Sequence, residues 1–165
     1  MGTRVLFVCL GNICRSPSAE NIMNHLIQQR QLTEQITCDS AGTSSYHIGS
    51  SPDRRMALAA KSYGFDLKGH ARQLTPEDLE GFDWILAMDH QNYRDILSLD
   101  PSQQYAHKVK LMGDYCRNHS DSDVPDPYYG GGDGFNYVIE LLTDACEGLL
   151  ESILESPVAV RCTEP

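Results

Sequence analysis

The sequence predicts an α/β fold in three layers, a doubly wound architecture whose central four-stranded parallel sheet is flanked by helices. Four strand-like runs alternate along the chain with segments in which apolar residues recur at helical spacing. The first run, VLFVC at residues 5–9, is apolar throughout, which is typical of a strand covered on both faces. Strands and helices that alternate in this way form a parallel sheet between two helical layers.

The first strand is followed directly by the signal for a helix start. Ser16 is a residue type favoured at helix N-caps, and Pro17 suits the first helical position. Apolar residues then recur at helical spacing (Ile22, Met23, Leu26 and Ile27). We therefore expect the first helix to run from this cap to about residue 31.

A second strand and a second helix follow the same plan. The run QITCDSAG at residues 35–42 predicts a strand that ends in a glycine-containing loop. Ser51 and Pro52 repeat the cap signal for a helix that continues to about Ser62. Gly64 supplies the stop signal for that helix.

The second half of the chain repeats the alternation with shorter elements. Thr75 followed by proline predicts a short helical turn. Residues 84–88 and 108–112 are the third and fourth predicted strands, and a helix is expected near residues 90–98.

A long loop and a long helix complete the predicted fold. Residues 121–134 are rich in proline and glycine and predict a loop. The helix after it carries one apolar stripe, formed by Phe135, Val138, Ile139, Leu142, Cys146, Leu149, Leu150 and Ile153.

The composition is that of a globular protein and excludes several classes of function. The chain has 165 residues, 41% of them hydrophobic and 22% charged, which suits one domain with a buried core. We therefore expect a single domain over residues 1–165, in which residues 155–165 form a C-terminal tail. The formal net charge of −10 disfavours nucleic-acid binding, which needs a cationic surface.

The N-terminal segment does not resemble a signal peptide, and no stretch approaches the length of a membrane span. Asn12 and Arg15 interrupt the short apolar run before any cleavage site. We therefore expect a cytoplasmic protein without a membrane partner, either a monomer or a weak dimer.

The cysteines and histidines do not predict a metal site. The six cysteines include no C-x-x-C pair, the six histidines are scattered, and no cluster of the two has zinc spacing. We therefore expect neither a metal nor another cofactor. Four cysteines are interpreted as packing or surface thiols: Cys38, Cys116, Cys146 and Cys162.

The predicted topology brings several polar residues to one edge of the sheet. In doubly wound folds, ligands bind at the carboxyl ends of the strands. Here that edge would hold the stretch CLGNICR at residues 9–15, Asp39 with Ser40, Asp89, and the loop after the fourth strand.

The stretch between the first strand and the first helix predicts an anion-binding loop. It consists of Leu10, Gly11, Asn12, Ile13 and Cys14. Gly11 and Asn12 tolerate positive φ, so the loop can turn its backbone N–H groups inward. The helix N-terminus adds its free N–H groups and the positive end of its dipole. Arg15 supplies a planar charged fork that fits two phosphate oxygens.

Cys9 lies at the floor of this predicted cradle. The N–H groups, the helix dipole and a hydrogen bond from Ser16 would all stabilise its thiolate. An ionised sulfur that faces a bound phosphate is equipped to attack phosphorus. Asp126, followed by a proline that restricts it, is the candidate that protonates the leaving oxygen and later activates water. A simple turn role for Asp126 is the alternative.

At this point the chain resembles the low-molecular-weight protein tyrosine phosphatases over nearly its whole length. The matching stretches are VLFVCLGNICRSPSAE at residues 5–20, DSAGT at 39–43, GHARQL at 69–74, AMD at 87–89 and DPYYGG at 126–131.

The resemblance implies that the chain hydrolyses protein phosphotyrosine and small aryl phosphates without a metal. It implies a nucleophile at Cys9, a phosphate-binding group at Arg15 and a general acid at Asp126. It also implies that Asn12 organises the loop through Ser16, Ser40 and His70.

The resemblance implies an aromatic rim around the substrate ring. Tyr46 and Tyr129 are the candidates for its walls. Tyr128 and Tyr129 are interpreted first as rim packing, then as substrate contacts and last as phosphorylation sites. His47 lies beside Tyr46 in a part of the rim that varies and partly sets specificity.

Two residues near the site, Cys14 and Asp89, each have two interpretations. Cys14 is either a packed thiol or, as the resemblance suggests, a partner that traps oxidised Cys9 in a disulfide. Asp89 either supports Arg15 or caps the following helix.

Two other functions stay open at this stage. An arsenate reductase of similar fold would use the same cysteine, but it relays electrons through a cysteine pair near residues 80–90, where this chain has none. A non-catalytic phosphate-binding adaptor would keep the cradle and lose either the acid or the nucleophile.

Overall fold

A computed structural model of the protein describes residues 2–130 and 133–156. Four strands form one sheet: β1 (Thr3–Cys9), β2 (Ile36–Gly42), β3 (Trp84–Ala87) and β4 (Val109–Leu111). Five α-helices accompany them: α1 (Arg15–Gln29), α2 (Arg54–Ser62), α3 (Pro76–Gly81), α4 (His90–Ser98) and α5 (Gly134–Glu155). Short 3₁₀ turns cover Ala106–Lys108, Met112–Tyr115 and Pro127–Tyr129. The predicted α/β class and the four-stranded parallel sheet are confirmed.

All strand pairs are parallel, and the strand order is β2-β1-β3-β4. The chain moves from β1 to β2 on one side and then crosses to β3 on the other side. The order therefore reverses at β1, and the carboxyl end of β1 is where a ligand-binding crevice forms in such sheets.

Side chains of β1 alternate between two buried cores. Val5, Phe7 and Cys9 pack into a large core that also receives apolar residues of α1, α2 and α5. Leu6 and Val8 point to the opposite face and pack with residues of α3 and α4. Burial on both faces explains why this strand is apolar throughout.

The starts of two helices differ from the sequence prediction. Helix α1 begins at Arg15 after an N-cap at Cys14, so Ser16 is not the cap, and its hydroxyl is used elsewhere. Helix α2 is capped by Asp53, whose carboxylate accepts from the N–H groups of Arg55 and Met56, rather than by Ser51. In α1 the Ser16 hydroxyl faces the Cys9 sulfur instead of capping the helix, and in α2 Asp53 stands within one turn of Ser51 and acts as the N-cap.

The remaining elements agree with the prediction to within two residues at their ends. Thr75 starts α3 in a capping box with Asp78, and the apolar stripe of α5 is buried as expected. No helix in the two described ranges is long and apolar enough to cross a membrane. The tail from residue 157 on, which includes Cys162, and Gly131 of the DPYYGG stretch lie outside the described residues.

Candidate active site

The carboxyl end of β1 leads into the cradle loop, here defined as residues 9–16. Asn12, Cys14, Arg15 and Ser16 are all buried there, and Cys9 is only 2% exposed. Asn12 has a φ of 57°, in the left-handed region that asparagine tolerates. Gly11 has no positive φ, so only one of the two predicted residues turns the loop this way.

The Cys9 sulfur sits among hydrogen-bond donors. The Ser16 hydroxyl lies 2.9 Å from Sγ, and the backbone N–H groups of Asn12 and Ser16 donate to Sγ at 3.3 and 3.5 Å. The Asn12 side-chain amide donates to the Ser16 hydroxyl, which leaves that hydroxyl its own proton to donate. The sulfur is therefore an acceptor of hydrogen bonds at the floor of the cradle.

The Asn12 side chain ties the cradle loop to neighbouring elements. Its amide also donates to the Ser40 hydroxyl at 3.0 Å, and its carbonyl oxygen accepts from the backbone N–H of Arg72 at 2.9 Å. The Ser40 hydroxyl donates to Glu20, so the chain of hydrogen bonds continues to helix α1. With all its polar atoms used, Asn12 holds the loop in one conformation.

The predicted part of His70 in this network is wrong. Its side chain is exposed, and within the described residues no hydrogen bond joins it to Asn12, Ser16 or Ser40. Ala71 next to it is buried and Arg72 supplies the contact to Asn12.

The cradle has backbone donors available for an oxyanion. Among the hydrogen bonds of the described residues, none uses the N–H groups of Gly11, Ile13 or Cys14. No side chain caps the N-terminus of α1 either. These donors and the helix dipole can therefore act on a bound anion.

Arg15 is held over the cradle by three acceptors. Its side chain donates to Asp89 at 2.6 Å, to the Val124 carbonyl at 3.0 Å and to Asp126 at 3.4 Å. Burial alone would lower the pKa of Arg15, but the Cys9 sulfur, Asp89 and Asp126 together raise it. The guanidinium is therefore a fixed positive charge beside the sulfur.

Asp89 has both of the roles that the sequence left open. One carboxylate oxygen accepts from Arg15 and the other accepts from the N–H of Asn92 at 2.7 Å, which caps α4. The aspartate thus fixes the guanidinium relative to the end of β3.

Asp126 lies in the acid loop, here defined as residues 124–130. One of its carboxylate oxygens accepts from the Tyr128 N–H at 3.1 Å, and the other faces Arg15. Val124 anchors the start of the loop, since its N–H donates to the Met88 carbonyl. The topology therefore brings Asp126 to the mouth of the cradle.

Arg55 of helix α2 attaches the other end of the acid loop. Its guanidinium lies over the rings of Tyr128 and Phe135, with its Cζ 5.3 and 4.8 Å from their centroids. It also donates to the Tyr128 carbonyl and to Asp53. No feature of the sequence indicates this role, because a surface arginine near a helix start is common.

Aromatic side chains surround the mouth of the cavity. Cys9, Arg15 and Asp126 line this cavity together with residues of the loop and the predicted rim. Tyr46 and Tyr129 are 79% and 77% exposed. The rings of His47 and Tyr128 lie 5.8 Å apart, and those of Tyr128 and Tyr129 lie 5.0 Å apart. All four predicted rim residues line this one opening.

Gly42 is a second residue that sequence reasoning missed. A Cβ at this position would lie 2.8 Å from the Leu10 carbonyl oxygen and 3.1 Å from the Asn12 nitrogen. The end of β2 can therefore approach the cradle loop closely only if residue 42 is glycine. A glycine directly after a predicted strand is the signal that could have indicated this contact.

The fold and site together define a class of doubly wound α/β proteins that bind an oxyanion between a strand and a helix, beside a buried cysteine and arginine. The family description "Low molecular weight phosphotyrosine protein phosphatase" matches residues 4–158 of this chain. The chain belongs to this family.

Individual relatives agree with the family assignment. A Synechocystis sp. protein named for the same family is 61% identical and the match covers 91% of this chain and 96% of that protein. The human low molecular weight phosphotyrosine protein phosphatase is 40% identical, with 89% and 93% covered. A crystal structure of a protein tyrosine phosphatase from Entamoeba histolytica, with Hepes in its active site, has a TM-score of 0.90 and 47% identity, and the match covers 93% of this chain and 98% of that chain.

Proposed function

We propose that this protein tyrosine phosphatase works through a phosphocysteine formed at Cys9, with Arg15 as the phosphate-binding group and Asp126 as the general acid and base. The observation that carries the proposal is the Cys9 sulfur, which accepts hydrogen bonds at the floor of a cradle that Arg15 covers. The positive charge and the N–H groups stabilise a phosphoryl group there without a metal.

In the first step, the Cys9 sulfur attacks phosphorus as the bond from phosphorus to the tyrosine oxygen breaks. Asp126 in its protonated form donates its proton to the departing oxygen. The Arg15 fork and the free N–H groups of the cradle loop bind the phosphoryl oxygens through the step. The products are a neutral tyrosine side chain and phosphocysteine.

In the second step, water hydrolyses the intermediate. The Asp126 carboxylate takes a proton from a water molecule as the water oxygen attacks phosphorus, and the sulfur–phosphorus bond breaks. Inorganic phosphate leaves, the Cys9 thiolate returns, and Asp126 is protonated again.

The rim favours phosphate carried on a planar ring. Tyr46, His47, Tyr128 and Tyr129 present aromatic surface around the cavity mouth. Aromatic pairs gain stability beyond their buried area, so a phenyl ring suits this opening better than a sugar or an aliphatic chain. We therefore propose phosphotyrosine in proteins as the substrate, and expect kcat/KM to be higher for phosphotyrosine peptides than for matched phosphoserine peptides.

Cys14 is proposed as the redox partner of Cys9. Both cysteines line the same cavity, and burial, followed by the charges of Asp53 and Cys9, raises the pKa of the Cys14 thiol. Cys14 is thus an inert thiol until peroxide converts Cys9 to a sulfenic acid, which can condense with Cys14 and release water. Activity should return on thiol treatment after peroxide, and equal recovery in Cys14→Ala would contradict this role.

A cytoplasmic location fits this chemistry, because a reducing compartment keeps Cys9 a free thiol. The arsenate reductase alternative gains no support. In this chain the segment near residues 80–90 is occupied by β3 and the start of α4, and it contains no cysteine.

The proposed function is tested with an aryl phosphate in the presence of a chelator. Cys9→Ser should lower kcat by roughly 10⁴-fold or more, since the hydroxyl is a far weaker nucleophile at neutral pH. Cys38→Ser, which changes a thiol on β2 away from the cavity, is the matched control and should retain activity. In Asp126→Asn, which cannot activate water, mass spectrometry after acid quenching should find a phosphoryl group on the Cys9 peptide. Full activity of Cys9→Ser would refute the mechanism.

A further inference from the structure

Three side chains that can bind a metal meet where the segment after β4 packs on helix α5. Cys116 and His119 belong to the stretch CRNH at residues 116–119, and Asp144 lies on α5. One ligand atom from each of the three lies within 4.8 Å of the other two. None of these residues lines the active-site cavity, and the proposed reaction does not use them.

We propose that Cys116, His119 and Asp144 form a three-ligand zinc site, with the Cys116 sulfur, one imidazole nitrogen of His119 and a carboxylate oxygen of Asp144 as ligands. Water would take the fourth position of a tetrahedral site. A thiolate, an imidazole and a carboxylate are the three ligand types that zinc binds in proteins. The thiolate and the carboxylate together balance the charge of the divalent ion.

The site is largely formed before any ion binds. The backbone N–H groups of Arg117 and Asn118 donate to the two carboxylate oxygens of Asp144, at 3.0 and 2.9 Å. The His119 Nδ1 lies 2.7 Å from the same carboxylate. Asp144 therefore fixes both the backbone between the two other ligands and the ring of one of them.

A zinc ion could replace the proton in the hydrogen bond between His119 and Asp144 after a small movement of the two side chains. Two ligand atoms on one tetrahedral zinc are about 3.3 Å apart, given metal–ligand distances near 2.0–2.2 Å. The separation of 2.7 Å between His119 Nδ1 and Asp144 is that of a hydrogen bond, so zinc would need this pair to open by about 0.6 Å. The His119 side chain is 25% exposed and can make this adjustment.

The charges of the three groups suit a divalent cation. The Asp144 carboxylate is buried, and zinc bound to it and to the Cys116 thiolate would neutralise both.

The C-x-x-H spacing of Cys116 and His119 is a metal-type spacing that the sequence-based exclusion of metals overlooked. The third ligand is 25 residues away from His119 in sequence. Only packing of the segment after β4 on α5 brings it near.

The expected consequence of binding is stability rather than catalysis. Zinc would join α5 to the segment that leads into the acid loop, while the groups around Cys9 stay unchanged. The full chain should therefore hydrolyse aryl phosphate at the same rate, within twofold, after chelation. The zinc site is therefore separate from the proposed phosphatase reaction, and the test of zinc binding does not depend on that reaction.

The test uses the full-length Cys9→Ser protein, in which the active-site thiol cannot bind the metal. Titration with Co²⁺ should give one equivalent of a tetrahedral site, with a thiolate-to-cobalt charge-transfer band that Zn²⁺ abolishes. Free zinc at about 100 times its dissociation constant should raise the Tm by roughly 5–10 °C. Absence of the Tm shift at saturating zinc overturns the proposal, whatever the variants do.

Three further variants in the same background locate the ligands. Cys116→Ser and His119→Gln should each lose the charge-transfer band and the Tm shift. Cys38→Ser is the matched control and should keep both. Circular dichroism confirms that each variant is folded before titration. A band that survives in folded Cys116→Ser places the metal elsewhere and overturns the assignment.

Discussion

The cradle loop and the acid loop meet at one site, but they are held in different ways. The cradle loop is joined covalently to β1 and α1, and its polar side chains are buried and hydrogen-bonded to each other. The acid loop carries two exposed tyrosines and depends on a few contacts with distant elements, from Arg15, Met88 and Arg55.

The difference separates two tasks of the site. The cradle is organised before substrate arrives, so its donors need no rearrangement when charge develops on the phosphoryl group. The acid loop is free to adjust to the leaving group, since few buried contacts restrain it. Changes that loosen the cradle should therefore affect both KM and kcat, whereas changes in the acid loop should act mainly on kcat.

The largest effect is expected for Asp126→Asn in the acid loop. Without a proton donor, kcat for a substrate with a poor leaving group should fall by roughly 10²–10⁴-fold, with little change in KM. The fall should be smaller for an aryl phosphate with an acidic leaving group, because that oxygen needs less protonation. Steady-state kinetics on the two substrates measure the difference.

Asp133→Asn is the matched control for this prediction. Its side chain is exposed near the same loop and makes no cap hydrogen bond at the start of α5. An equal loss for both substrates would indicate that Asp126 acts only through its ion pair with Arg15.

The next largest effect is expected for Gly42→Ala beside the cradle. The added methyl group would lie 2.8 Å from the Leu10 carbonyl, so the loop or the end of β2 must shift. A displacement of this kind should lower kcat/KM by roughly 10²-fold, through both KM and kcat. Phosphate inhibition constants report the loss of anion binding independently of the chemical step.

Gly81→Ala is the corresponding control. A Cβ there meets only the end of the Arg4 side chain, at 3.2 Å, and that flexible side chain can move. Phosphate inhibition of Gly42→Ala equal to that of the unchanged protein would show that the cradle tolerates the shift.

A smaller effect is expected for Arg55→Ala, which removes the contact between α2 and the acid loop. The loop should spend less time with Asp126 over the cradle, so kcat should fall roughly threefold to tenfold at nearly constant KM. Arg54→Ala changes the exposed neighbouring arginine and should have no effect. A rise in KM without a fall in kcat would assign Arg55 to substrate binding instead of loop positioning.

The cradle loop is determined locally, whereas the acid loop depends on distant contacts, and this difference also decides which residues the sequence could predict. Cys9, Arg15 and the loop between them lie within seven residues, where a strand, a turn and a helix start determine the geometry locally. The place of Asp126 at the mouth of the cradle could also be predicted, because this topology brings the loop after β4 to the carboxyl edge of the sheet. These assignments needed only the order of the elements.

Several contacts between distant segments could not be predicted. Gly42 and Arg72 reach the cradle from 30 or more residues away along the chain, and Arg55 reaches Tyr128 across 73 residues. The contact that the resemblance assigns to His70 comes from the Arg72 backbone N–H, and a backbone donor leaves no signal in the sequence. Ser16 was read as a helix cap because the pattern cannot tell a cap from a hydroxyl that serves the neighbouring sulfur.

The smallest effect is expected for Asp78→Asn, because Asp78 reaches the cradle loop only through Arg72 and Asn12. Asp78 binds the Arg72 fork with both oxygens and accepts from the Thr75 N–H, and the Arg72 backbone in turn donates to Asn12. The substitution should lower the free energy of unfolding by about 1 kcal/mol at neutral pH and change kcat by less than about twofold.

The pH dependence of this loss of stability tests whether the charge of the Asp78 carboxylate causes it. Burial acts to raise the pKa of Asp78, but the hydrogen bonds from Arg72 and Thr75 lower it below its ordinary value of 3.8. A carboxyl whose pKa is lower in the folded protein adds stability above its unfolded pKa and loses it as the pH falls through the folded pKa. Urea unfolding should therefore show the gap between the unchanged protein and Asp78→Asn closing below about pH 4. Asp66→Asn, at an exposed site, should show no such gap, and a gap for Asp78→Asn that persists in acid would mean that shape rather than charge stabilises this support of the cradle.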